Sequence, residues 1–203
     1  MPTIKHYTNY EEILEFLNSN PNWIAGFTNG EGSFTASLFL DKDAMWGVVP
    51  QCEFNITQSM TDVILLEALH GYFKNTGGVY ARQNNVGTVS FRKISVLKNT
   101  IIPFFIQYPL LGRKSQEFER WIKLVEIIST KKHIGDTIQI RDAFLEFAYI
   151  LKDLNASRFN PTKEMRLDII INWLKTLTNK PSLEEKLDLI KKIRPCRIFK
   201  NAD

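Results

Sequence analysis

The chain has 203 residues, 44% of them hydrophobic and 24% charged, with a net charge of +4. That is long enough to bury a real core, and the composition favours neither disorder nor a membrane class. No apolar run approaches bilayer length, and the mild positive balance permits a polyanionic partner without requiring one. Cys52 and Cys196, like His6, His70 and His133, are scattered without metal-ligand spacing. Unpaired thiols suit a reducing compartment. The N-terminal MPTIKHYTNYEEILEFL lacks the basic-then-apolar order of a signal peptide, so a protein that works where it is made, and is not secreted, is expected.

Thr8 or Asn9 can cap a helix expected over 10–17, because a side-chain oxygen there accepts from orphan backbone N–H groups. Asn20 or Asn22 opens a second helix that reaches Glu31. Phe34, Ala36, Leu38 and Leu40 then alternate with Ser33, Thr35, Ser37 and Phe39, the period of a half-buried strand. GVVPQCEFNITQS repeats the device, with Cys52, Phe54 and Ile56 on one face and Gln51, Glu53, Asn55 and Thr57 on the other; the turn-like DKDAMWG makes the two a hairpin. A helical pattern of Val63, Leu66, Leu69 and Phe73, capped by Thr61, runs until NTGG ends it. Two more strands lie near VYARQ and TVSFRK, with Tyr80, Arg82, Asn84, Thr88, Ser90 and Arg92 outward against Val79, Ala81, Val89 and Phe91 inward. Helices near 97–106 and 115–128 follow.

This order predicts an α+β fold: helix, two strands, helix, two strands, then helices, with an antiparallel four-stranded sheet covered on one face and open on the other. The open face is rich in Ser, Thr, Asn, Gln, Arg and Tyr, and a two-stranded ribbon of such residues fits the major groove of DNA, where it can read base edges. Beyond 128 the periodicity is wholly helical, over 140–154, 165–177 and 183–193. The expected division is a core over 1–130 and a C-terminal helical extension over 131–203. The basic tail, with Lys191, Lys192, Arg194, Arg197 and Lys200, is either a solvated end or a phosphate contact.

The stretch WIAGFTNGEGSFTASL sets Glu31 between Gly30 and Gly32 where helix hands over to strand. A carboxylate there sits at the helix's negative pole, an unfavourable place unless something positive joins it, and a divalent cation is the obvious candidate. Gly26 with Ala25 gives the preceding helix a small face on which a partner helix can pack.

IAGFTNGEG, residues 24–32, resembles the motif of the LAGLIDADG homing endonucleases. EFNITQS resembles the family's second strand ending in a functional glutamine, here Gln58, and IIPFFIQYPLLGRKSQEF resembles its later helix, turn and lysine, here Lys114. The resemblance implies that Glu31 and the backbone carbonyl of Gly30 ligate Mg²⁺, with Mn²⁺ a possible substitute. It also implies that Gln58 positions water and that Lys114 acts near the phosphate. In the family two motif helices pack at a twofold axis, the acids hold metal ions over the minor groove, and the sheets lie in the major groove of double-stranded DNA. One departure stands out: where the family usually carries an acid two residues before the catalytic one, this chain has Asn29.

The sequence shows one such motif, so a homodimer is expected, joined through Ile24, Ala25, Gly26 and Phe27, reading a long, roughly palindromic site and leaving a staggered break. An RNA-binding intron maturase, or an inactive DNA binder on the same scaffold, is the alternative. The family's habits and an Asn- and Ile-leaning composition point to an organelle, mitochondrion or chloroplast.

Overall fold

The computed structural model describes residues 6–155 and 160–193. Helix α1, Tyr10–Ser19, starts at Asn9, whose side-chain oxygen accepts the Glu12 N–H at 2.9 Å. Helix α2, Pro21–Glu31, has no side-chain cap and instead places Pro21 at its first position, where the missing N–H would be unpaired anyway. Strand β1, Gly32–Leu40, follows without a loop, and β2 runs Val48–Ser59. Ser59, not Thr61, caps the next turn, its hydroxyl accepting from the Thr61 N–H at 3.2 Å, and α3 spans Val63–Tyr72. Strands β3, Gly78–Arg82, and β4, Val86–Phe91, complete a sheet of order β1-β2-β4-β3. The β2/β4 and β3/β4 pairs are antiparallel.

After β4 come a short helix α4, Ile94–Val96, a π-helical turn over Leu97–Ile101, and α5, Ile102–Gln107. The wider turn lies just before Pro103, which lacks the N–H that a continuous α-helix would use. Helices α6, Gly112–Ser129, α7, Ile138–Asn155, α8, Pro161–Thr176, and α9, Leu183–Ile193, follow. Arg194, Cys196, Arg197 and Lys200 of the basic tail lie outside the described residues. No helix among the described residues is long and apolar enough to cross a membrane.

The chain divides into two compact units, 1–35 with 52–119, and 36–51 with 120–203. In the first, the register sets Phe54 opposite Phe91 and Ile56 opposite Val89, all fully buried, which is the inward set the strand alternation predicts. Phe34 stacks on Phe54 at 5.1 Å between ring centroids, and Phe105 meets Phe54 and Phe118 edge-on at 5.3 and 5.6 Å. Such pairs add about 0.5–1.5 kcal/mol each to the area they bury. Cys52 is buried too, and burial pushes its thiol pKa up, leaving it inert.

The second unit corrects the expected boundary near 130. Trp46 and Val48 form one core with Ile140 and Phe144 of α7, Ile170 and Leu174 of α8, and Leu189 of α9. The turn that the sequence marks as a simple connector carries an indole needing a large apolar surface, and the C-terminal helices supply it. Trp46 Nε1–H donates to the Gly135 carbonyl at 2.9 Å, satisfying the one polar atom of that ring.

Candidate active site

The handover from α2 to β1 depends on Gly32. A Cβ there would strike the Thr28 methyl and stand 2.7 Å from the Thr28 carbonyl oxygen, so a side chain has no room. Thr28 itself is fully buried, which fixes the end of α2 against the core and leaves the next turn facing outward. Glu31, the last residue of that helix, is exposed, and its carboxylate has no ion-pair or hydrogen-bond partner among the described residues.

Two bonds, each spanning 82 residues, join this corner to the start of α6. The Asn29 side-chain oxygen accepts the Leu111 N–H at 3.2 Å, and Lys114 Nζ donates to the Gly32 carbonyl at 2.7 Å. Gly112, at φ +58, makes the turn between the two contacts. Lys114 also lies 3.5 Å from Glu117 Oε2, and Arg113 Nε is 3.3 Å from Glu117 Oε1. Glu117 is 2% exposed, so its charge is taken out of water between two cations. Glu117 and Arg113 are contributors that the motif comparison does not single out; the spacing of Arg113, Lys114 and Glu117 at i, i+1 and i+4 was the available signal.

Gln58 stands at the end of β2 opposite Gly87, on the same side of the strand as Phe54 and Ile56. Its amide oxygen accepts the Ser59 N–H at 2.9 Å, and its amide makes no hydrogen bond to Glu31 or Lys114. The structure thus joins Lys114 to the motif and leaves Gln58 bonded locally.

Among the described residues no three His, Cys, Asp or Glu side chains gather into a metal site. A cation here would take one carboxylate from the chain, that of Glu31, beside the carbonyl-rich end of α2. Partnerless, exposed oxygen donors at a negative helix pole fit a hard divalent ion such as Mg²⁺ or Mn²⁺ rather than a thiophilic one.

Within the first unit the sheet's open face falls into rows set by the register. Thr57, Thr88 and Tyr80 form one row, Asn55, Ser90 and Gly78 the next, and Ser59, Val86 and Arg82 another. Thr57 and Thr88 hydroxyls approach to 3.5 Å. Glu53 Oε1 accepts from the Ser90 hydroxyl and, at 3.2 Å, from Arg92 Nη2. Ser33 and Thr35 of β1 are half-buried, with the Thr35 hydroxyl 3.4 Å from the Glu53 carbonyl. On the same strands in the second unit, Ser37 and Gln51 are half-buried.

Four expected surface residues differ from their assigned position. Thr88, Ser90 and Asn55 are 0%, 4% and 9% exposed, because β2 and β4 are the central strands and longer neighbours close over them. Tyr80 is one such neighbour, its ring lying across Gly78 while the residue remains 56% exposed. Asn84 is not on a strand. It sits in the β3–β4 turn at φ 61, beside Asn85 at φ 57, left-handed positions that asparagine tolerates better than most residues. Ala81, expected inward, is exposed because β3 is an edge strand.

A sequence profile of the LAGLIDADG endonuclease family matches residues 24–125, which takes in the α2 motif, the sheet and Lys114. The chain belongs to the LAGLIDADG endonuclease family. It is similar to the "Probable intron-encoded DNA endonuclease 1" of Mycosarcoma maydis, at 28% identity over 165 residues, 81% of this chain and 58% of that protein. It therefore spans little more than half the length of that relative. Among solved structures, the LAGLIDADG fold is matched by the homing endonuclease I-TnaI, with TM-score 0.65, 23% identity, and coverage of 76% of this chain and 97% of that one. The meganuclease I-SmaMI bound to uncleaveable DNA gives TM-score 0.63 and 26% identity, covering 78% of this chain and 48% of that one.

For a LAGLIDADG chain, the motif helix's free face is of particular interest, and here the expectation needs correcting. Ile24 and Ala25 are 0% and 4% exposed and already packed within the chain, because they share the inward side of α2 with Thr28. The outward stripe is Trp23, Gly26, Phe27 and Gly30, at i, i+3, i+4 and i+7. Trp23 and Phe27 stack at 4.8 Å, and a Cβ at Gly26 or Gly30 would meet nothing within 4 Å. Of the four residues expected at a helix pairing, Gly26 and Phe27 thus lie on the outward side of α2, together with Trp23 and Gly30.

Proposed function

We propose that the chain is a site-specific DNA endonuclease that hydrolyses phosphodiester bonds at Glu31 with Mg²⁺, or Mn²⁺ in its place, and that two copies of the unit act together. The observation that carries this reading is the delivery of the Lys114 ammonium to the Gly32 carbonyl, next to an exposed and partnerless Glu31. The motif acid and the cationic side chain come from distant parts of the sequence and meet at one corner.

Glu31 and the Gly30 carbonyl would hold the cation, which when bound supplies activation of water and stabilisation of charge on the scissile phosphate. Lys114, kept in place by Gly32 and Glu117, offers a fixed positive charge to the phosphate oxygens as negative charge builds there. Gln58, with its amide oxygen engaged by Ser59, has its NH₂ left to donate to a water. Asn29 uses its oxygen on the Leu111 N–H, so its part is to hold the start of α6 rather than to add a ligand charge. The exposed side chains of the sheet, Tyr80, Arg82 and Arg92, with the half-buried Thr57, would read the duplex in the major groove.

Pairing is supported by the open stripe of Trp23, Gly26, Phe27 and Gly30, whose small residues let a second helix approach closely. It is also supported by a match that fills 97% of one solved chain and 48% of another, as a unit used once in one and twice in the other would. Two copies of this chain would read a roughly palindromic site and leave a staggered break. The intron-encoded relative favours an organelle gene as the source. Selection of cut ends from a random duplex library, with and without Mg²⁺, tests the reading: recovery of one long, near-symmetric site only with the metal supports it. Tight binding of structured RNA with no cut DNA would move the assignment to a maturase, and binding of duplex without cutting to an inactive descendant.

A further inference from the structure

The turn between β1 and β2, residues 41–47, is gripped by a buried ammonium. Lys186 of α9 is 8% exposed, and its Nζ donates to the carbonyl oxygens of Ala44 at 2.8 Å and Lys42 at 3.3 Å. No carboxylate pairs with it among the described residues. Burying a charge without an opposite charge is costly, and a hydrophobic side chain of the same length would be cheaper there. What the lysine adds is direction: two carbonyls of the turn are drawn toward α9.

The rest of the turn is built to hold that shape. Asp41 N–H donates to the Gly47 carbonyl at 3.0 Å, Gly47 N–H to Ala44 at 3.1 Å, and Asp43 N–H to the Asp41 side chain at 2.9 Å. Gly47 has φ +69, and a Cβ there would come 3.1 Å from Lys186 Cγ and 3.3 Å from the Trp173 ring. With the carbonyls turned inward, Asp41, Lys42 and Asp43 are left exposed.

We propose that Lys186 is a positioning residue for DNA recognition. It fixes the turn so that Lys42 and the adjoining Ser37 and Gln51 meet the duplex in one register. The C-terminal helices are thereby part of the reading apparatus. The inference rests on the DNA endonuclease reading, and it gives those helices a role that neither cleavage nor pairing requires.

Lys186→Met keeps the unbranched stem of the side chain as far as the ε carbon and removes the charge and the donors. Binding of the full-length variant to the selected target, and to targets substituted one base pair at a time, should lose about tenfold in discrimination at one contiguous set of base pairs, the size of one base contact. Cleavage of the unsubstituted target at saturating protein should be unchanged. Hydrogen exchange should accelerate at the amides of 41–47 and not in α2 or β4, and Lys186→Arg, which retains donors, should restore part of the discrimination. A folded Lys186→Met protein with unaltered discrimination overturns the proposal, as does a uniform loss at every base pair, which would mark a purely structural lysine. A wild-type protein that binds no duplex overturns the endonuclease reading as well.

Discussion

Lys114 Nζ lies 2.7 Å from the carbonyl oxygen of Gly32, the residue that follows Glu31. A flexible side chain is thereby tied to the one corner where the motif acid is exposed, and its second neighbour, Glu117, is buried. A cation held this way cannot drift with solvent, and under the proposed function it would need no reorganisation as charge builds on the phosphate. Lys114→Met should slow single-turnover cleavage by about 10² to 10³ while changing target affinity little. Equal losses in rate and affinity would instead make Lys114 a plain phosphate contact.

Asn29 tests whether the departure from the family motif is a tether. Asn29→Asp keeps an oxygen for the Leu111 N–H and should leave the unfolding midpoint nearly unchanged, whereas Asn29→Ala loses a bond worth about 1 kcal/mol and should lower it. Denaturant unfolding of the two variants separates these outcomes; equal stability of Ala and Asp would remove the tether from the account.

Arg82 is exposed at the end of β3, and Arg92 is held by Glu53 at 3.2 Å. Arg82→Ala should relax sequence preference at one position by about 1–3 kcal/mol, the discrimination of a good bidentate base contact. Glu53→Gln should broaden preference at the position read by Arg92, because the arginine loses the anion that orients it. Binding profiles over substituted targets check both, and uniform weakening at all positions would assign either arginine to the phosphate backbone.

Gly26→Arg places a long cation on the open stripe of α2, where a Cβ meets nothing of the chain's own. The variant should fold normally yet sediment as a monomer at concentrations where the wild type is a dimer. A wild-type chain that stays monomeric both alone and on its target would sink the paired reading.

The alternation of Phe54, Ile56, Val89 and Phe91 was readable because a strand with one buried face has a strict period of two. The motif corner was equally plain, since glycines around a single acid serve neither core nor solvated surface. What escaped the sequence depends on tertiary placement. Ile24 and Ala25 read as an open face because nothing local says which side of α2 the core occupies, and it is Thr28 that shares their side. Asn84 keeps the parity of a strand residue while lying in a left-handed turn. Trp46 looks like part of a connector until the helices 90 and more residues later close on it, a pairing that no local pattern encodes. Thr88 and Ser90 are polar and on the open face, yet a central strand lets its neighbours cover them.

The most direct measurement is cleavage of the selected duplex by wild-type and Glu31→Gln protein, each in Mg²⁺ and in excess chelator, with binding followed in parallel. Glutamine keeps the shape of Glu31 and removes its charge. The account predicts cutting by the wild type in Mg²⁺ alone, no cutting by Glu31→Gln under either condition, and similar affinity for both. Cleavage by Glu31→Gln at the wild-type rate, or wild-type cleavage undiminished by the chelator, would contradict it.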